Sequence, residues 1–135
     1  MTTQEQPKRM AISPSGLVMV FIAACMMSAA SLMLRGSIDH IGGFALNVGT
    51  IHKDIFALLL QPLFILGVVL YGGGTLLWMR VIASEPLSVG YPILLSIAFI
   101  AITLGAAFFF GEKMSLTKFL GMVLIISGVI ITTNG

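Results

Sequence analysis

The sequence predicts an all-α integral membrane protein, with four transmembrane helices and an interfacial segment between helices one and two. Three observations carry this prediction. Only 9% of the residues are charged, against 58% hydrophobic, whereas a soluble domain has about 25% charged residues. Residues 17–34, 55–79, 86–111 and 119–135 contain no Asp, Glu, Lys or Arg. A membrane helix needs roughly 20 apolar residues to cross about 30 Å of hydrocarbon. Between the first two runs, residues 37–54 gather Asp39, His40, Asn47, His52, Lys53 and Asp54. Four helices account for the 135 residues as a single domain, 1–135.

Residues 1–12 read as a polar tail. Ser13-Pro14 is a helix start, because Ser13 can cap and Pro14 has the fixed φ of a first turn. Helix one then spans about 14–34. Its apolar run exceeds the length of a signal-peptide core and lacks a small-residue cleavage site, so it reads as a retained helix. Small residues such as Ala23, Ala24, Ser28 and Ala30 permit close helix contact in lipid. Cys25 is the single cysteine and lies mid-span, which excludes a disulfide framework.

In the segment 37–54, Ile38, Ile41, Ala45, Val48, Ile51 and Ile55 recur at steps of three and four. That spacing marks one helical face. It predicts a partly helical segment at the membrane interface, weakened by Gly42, Gly43 and Gly49. Helix two is expected over about 55–79, with Pro62 in its first turns. Gly67 and Gly72-Gly73-Gly74 would let another backbone approach. Trp78 and Arg80 read as interfacial markers of its far end.

Helix three is expected over about 87–110, with Gly111 as its stop. Pro92 lies inside it and frees the carbonyl of Ser88. Gly90 leaves space beside the bend, where Tyr91 can present its hydroxyl to a cavity. Helix four, about 115–133, starts at a Ser115 cap and extends to its full length if Lys118 snorkels. Gly121 and Gly128 are seven residues apart and form a smooth seam for a partner helix.

No catalytic constellation, metal-ligand set or cofactor motif is present in the sequence, so the chain does not read as an enzyme. The net charge of +2 suits anionic lipid headgroups rather than nucleic acid. Lys8, Arg9 and Arg80 fall on one side of the membrane, and Arg35, Lys53, Lys113 and Lys118 on the other. That balance assigns no orientation and is compatible with insertion both ways. No acid lies deep in a span, where a proton-coupled exporter of cations needs one. Asp39, Asp54, Glu85 and Glu112 all fall at ends or in loops. Arg35 and Arg80 close two helices and Lys53 precedes one. Guanidinium groups at that depth bind phosphate in bidentate fashion, which points to an anionic, lipid-like substrate.

The stretch "EPLSVGYPILLSIAFIAITLGAAFFFGEKMSLTKFLGMVLIISGVIIT" resembles helices three and four of the small multidrug resistance group in the drug/metabolite transporter superfamily. The likeness rests on a Pro at the turn, a Gly-Tyr entry, an "FFGEK"-like turn and "LGMVLIISGVII". The drug-exporting branch carries a Glu within helix one and a Trp soon after the Tyr. Here Met, Cys and Ala stand in the first place and Pro92-Ile93-Leu94 in the second. The chain is closer to the aminoarabinose-phosphoundecaprenol flippase subunits, through Tyr91-Pro92, Glu112 in the turn before helix four, and Arg35 after helix one.

That resemblance implies movement of a polyprenyl-phosphate-linked sugar, or a similar anionic lipid, across the bacterial inner membrane. It also implies a homodimer, antiparallel or otherwise, or a heterodimer with a similar small subunit, joined at the Gly121/Gly128 seam. Arg35 would meet the phosphate together with Lys53 or Arg80, and Tyr91 and Ser96 would offer hydroxyls to the headgroup. Glu85, Pro92 and Glu112 would form turns or gates. Two other functions compete: an exporter of cationic drugs or metabolites, and a non-transporting assembly subunit whose histidine-bearing loop docks a partner.

Overall fold

The computed structural model describes residues 11–135, so most of the polar tail, with Lys8 and Arg9, lies outside the described residues. The described residues form five helices and no strand: α1 (Pro14–His40), α2 (Ile51–Leu59), α3 (Pro62–Ser84), α4 (Leu87–Phe110) and α5 (Leu116–Asn134). All but α2 are long and apolar enough to cross a membrane. The protein is an all-α, multi-pass membrane protein.

Local chemistry sets the ends of these elements. Ser13 caps α1, its hydroxyl accepting from the Gly16 amide at 3.0 Å, and Pro14 occupies the first turn. α1 continues past residue 34, where the uncharged run ends, through Arg35 to His40. Arg35 and Asp39 fall one turn apart and pair at 3.7 Å, which suits a helix leaving hydrocarbon for water. It stops where Gly42 and Gly43 take φ of 86° and 110°, a region open to glycine.

Residues 41–50 are therefore not helical, and the expected partly helical segment resolves into the end of α1, a loop and α2. The single helix expected over 55–79 is also divided. Gln61 is extended (φ −88°, ψ 120°), because a following proline disfavours helical backbone at the residue before it. Pro62 thus starts α3 rather than sitting inside a longer helix. Farther on, Glu85 and Pro86 are extended between α3 and α4, Gly111 ends α4 at φ 65°, and Ser115 caps α5 through the Lys118 amide.

α1 is the central element. α3 runs antiparallel to it: Gly67 faces Met33 and Leu34, and Gly74 faces Met27 and Ala23. A side chain at Gly74 would bring a Cβ to 2.8 Å from Met27 Cγ and 3.3 Å from the Ala23 carbonyl oxygen. The glycine is what lets these two helices approach. α4 runs parallel to α1, with Glu85 at Ser13, Ala98 at Ser28 and Gly105 against Leu32. α5 packs chiefly on α4 and buries only Met122.

The core is Val20, Ala23, Ala24, Trp78, Val81 and Leu94. Trp78 is 6% exposed, so it is a packing residue and not the interfacial marker its place near the end of α3 suggested.

Candidate functional site

The helix directions sort the charged groups into two layers. One lies at the C-terminal end of α1, with α2 and the α4–α5 turn. The other lies at the N-terminal end of α1, with the α3–α4 turn.

The first layer is built around Arg35. Its Nη1 donates to Glu112 Oε1 at 2.7 Å, and its Nε stands 3.7 Å from Asp39 Oδ2. The guanidinium carbon lies 5.0 Å from the Phe110 ring centroid, a cation–π contact. Lys118 Nζ reaches the other oxygen of Glu112, Oε2, at 3.8 Å. Two cations and two carboxylates thus share one end of the bundle, all partly open to solvent. Pairs exposed to this degree hold by about 0–1 kcal/mol each.

An apolar groove of about 490 Å³ adjoins this cluster, lined by Ala29, Leu32, Met33, Leu63 and Phe109, with Gly36 and Phe110 at the Arg35 end. Phe110 belongs to both features. Its ring underlies the guanidinium and lines the groove. The arrangement offers a cation to an anionic head and an apolar wall to its tail. A Cβ at Gly36 would stand 3.6 Å from Leu63 and 4.0 Å from Phe110, ordinary contact distances, so both side chains pack beside this position.

The second layer contains Glu85. Its carboxylate accepts from the Ser13 amide at 3.0 Å and from the Ser13 hydroxyl, and it lies against Gly16. A carboxylate there meets the unpaired amides and positive dipole end of α1. Arg80 is exposed on the last turns of α3. Tyr91 rests edge-on against Trp78, with ring centroids 5.0 Å apart at 85°, and is 46% exposed. It lines a second apolar groove, about 720 Å³, between α4 and α5, with Pro92, Phe99, Gly128 and Thr132.

The substrate-binding residues expected from the sequence are therefore not one cluster. Arg35 and Arg80 lie at opposite ends of the bundle. Arg80 is 13 residues beyond Gly67, which faces Leu34, and 13 residues of helix rise about 20 Å. One phosphate cannot bridge both. Lys53 is exposed on α2, at the Arg35 end. Ser96 is 6% exposed, and its hydroxyl donates to the Pro92 carbonyl at 2.7 Å. Its proton is thus committed inside α4. Glu112, expected as a turn residue, is the partner of Arg35. Lys118, Asp39 and Phe110 complete the cluster, although the sequence marks none of them as a binding residue. The four-residue spacing of Arg35 and Asp39 was a signal for one pair. Nothing local announced the rest.

The uncharacterized protein y4nH of Sinorhizobium fredii is 32% identical to this chain over 122 residues, covering 88% of this chain and 95% of that protein. The chain belongs to the y4nH family. Proteins named as probable 4-amino-4-deoxy-L-arabinose-phosphoundecaprenol flippase subunit ArnE are also similar. Those of Yersinia pseudotuberculosis serotype O:1b and Yersinia pestis strain Pestoides F are 46% and 44% identical over 66 residues. That match covers 49% of this chain and 57% of each ArnE, so it spans little more than half the length of these curated relatives. No protein-family model matches the chain. No solved structure matches it. Over that shared stretch the chain is similar to proteins named as flippase subunits.

Proposed function

We propose that the protein moves an anionic, phosphate-linked lipid across the bacterial inner membrane, with a polyprenyl-phosphate-linked sugar as the leading substrate class. The observation that carries this reading is the position of Arg35. Its guanidinium stands at the end of a membrane helix, stacked over Phe110, at the rim of an apolar groove. A guanidinium is a bidentate donor to phosphate, and the groove is apolar wall for an isoprenoid tail. Names of the ArnE relatives supply the substrate class.

The division of the charged groups into two layers fits transport. Arg35 and Lys53 receive the headgroup at one face, and Arg80 and Tyr91 meet it at the other. Pro92, which cannot donate a backbone hydrogen bond, marks the point where α4 yields. A dimer completes the path. α5 leaves Gly121 and Gly128 with nothing within 4 Å of a built Cβ, so a second small subunit or a second copy has a smooth surface to approach.

The test is translocation of a lipid-linked sugar in proteoliposomes. Arg35→Ala is expected to slow it at least tenfold relative to the unaltered protein. Equal rates would overturn the role of Arg35.

A further inference from the structure

We infer that Glu112 is an internal stand-in for the substrate anion, and that Arg35 and Lys118 together form the anion cradle it occupies. This rests on the reading that Arg35 meets the substrate phosphate, and adds to it a second cation and a competitor. The two oxygens of the Glu112 carboxylate are divided between two cations. Arg35 Nη1 takes Oε1 at 2.7 Å and Lys118 Nζ stands 3.8 Å from Oε2. A phosphate group presents the same feature, two oxygens on one centre, with comparable or greater negative charge.

The cradle is assembled from three elements. Arg35 comes from α1, Glu112 from the α4–α5 turn and Lys118 from the first turn of α5. Phe110 fixes the guanidinium by its ring face. The carboxylate is held by partly exposed contacts, which are weak. Glu112 also follows Gly111, whose left-handed backbone ends α4. The acid is therefore on a turn and not inside a helix, so displacing it breaks no helical ladder. With Glu112 displaced, Arg35 and Lys118 outweigh Asp39 and the site is cationic. The adjoining groove of about 490 Å³ then favours an anion that carries an apolar tail over a free phosphate.

Equilibrium dialysis of radiolabelled farnesyl phosphate tests this, using the full chain in neutral phosphatidylcholine nanodiscs with empty nanodiscs as the partition control. Glu112→Gln is expected to tighten binding about tenfold. Lys118→Gln, made in the Glu112→Gln background, is expected to reverse most of that gain. Inorganic phosphate is expected to compete at least a hundredfold more weakly than unlabelled farnesyl phosphate. Arg35→Gln is expected to weaken binding in either background.

Unchanged or weaker binding by Glu112→Gln, with Arg35→Gln weakened, overturns the stand-in while leaving the Arg35 reading in place. No effect of Lys118→Gln in the Glu112→Gln background removes Lys118 from the cradle. Equal competition by inorganic phosphate removes the groove. No effect of Arg35→Gln in either background overturns the reading beneath the inference. Thermal melting of each variant in the same nanodiscs separates lost binding from lost fold.

Discussion

Trp78 on α3 meets Tyr91 on α4 edge to face, with ring centroids 5.0 Å apart and planes at 85°. The indole is buried, and Gly90 lies against it, a built Cβ there falling 3.6 Å from the ring. This contact ties the first turn of α4 to the last turns of α3. Trp78→Ala is expected to destabilise the protein by about 3 kcal/mol, the low end for Trp truncation, since lipid weakens the transfer contribution. Thermal unfolding in detergent measures it. Trp78→Phe is expected to lose about half as much, because an aromatic edge contact with Tyr91 remains.

The glycine triplet makes a sharper comparison. Gly74 is packed against Met27 and the backbone of Ala23, whereas nothing lies within 4 Å of a Cβ built on Gly72. Gly74→Ala is expected to cost about 1–3 kcal/mol through overpacking. Gly72→Ala is expected to be neutral, or stabilising by up to about 1 kcal/mol from helix propensity. Equal effects at the two positions would show that α1 and α3 do not pack in this register.

Ser13 and Glu85 join the start of α1 to the start of α4 through the serine amide and hydroxyl. Ser13→Ala removes the cap and the hydroxyl contact together, at about 1–2 kcal/mol. A double-mutant cycle of Ser13→Ala with Glu85→Gln is expected to give a coupling of at least 0.5 kcal/mol, as contacting residues do. Additive losses would mean the two act separately.

At the opposite end, the pair of Arg35 and Glu112 is partly exposed. Glu112→Gln is therefore expected to change stability by less than about 1 kcal/mol. A much larger loss in thermal unfolding would make the pair a structural tie and not a displaceable contact.

Gly128→Leu tests the dimer. Since nothing lies within 4 Å of a Cβ at Gly128, the larger side chain is expected to leave the monomer fold intact. Its expected effect is loss of self-association or of binding to a second subunit, read by cross-linking in membranes. Unaltered cross-linking would remove α5 from the contact.

Some of this was legible residue by residue. Ser13-Pro14, Gly111 and Ser115 act on the backbone nearest to them, and the helices start or stop at those places. Pro62 acts on the residue before it rather than within a longer helix. An uninterrupted apolar run suggested one helix, and the constraint that proline places on Gln61 divided it. Trp78 shows the limit of reading a residue type by its place near a span's end. Aromatic rings collect at membrane interfaces on average, but this one faces α4 and is buried. Ser96 likewise offered a hydroxyl on paper, and the carbonyl of Pro92 takes its proton.

The sequence by itself determined that this protein lives in a membrane, how many times it can cross, and where most helices begin and end. Those properties follow from local composition and from single residues acting on neighbouring backbone. Only the tertiary structure decided which charges meet. Arg35 and Glu112 are 77 residues apart, and they pair because α1 and α4 run parallel, side by side, from Ser13 and Glu85 at one end to this pair at the other. The close approach of α4 to α1 depends on Gly105 admitting Leu32, as that of α3 depends on Gly74 admitting Met27. It is packing between distant segments that places a guanidinium, a carboxylate and an ammonium around one point.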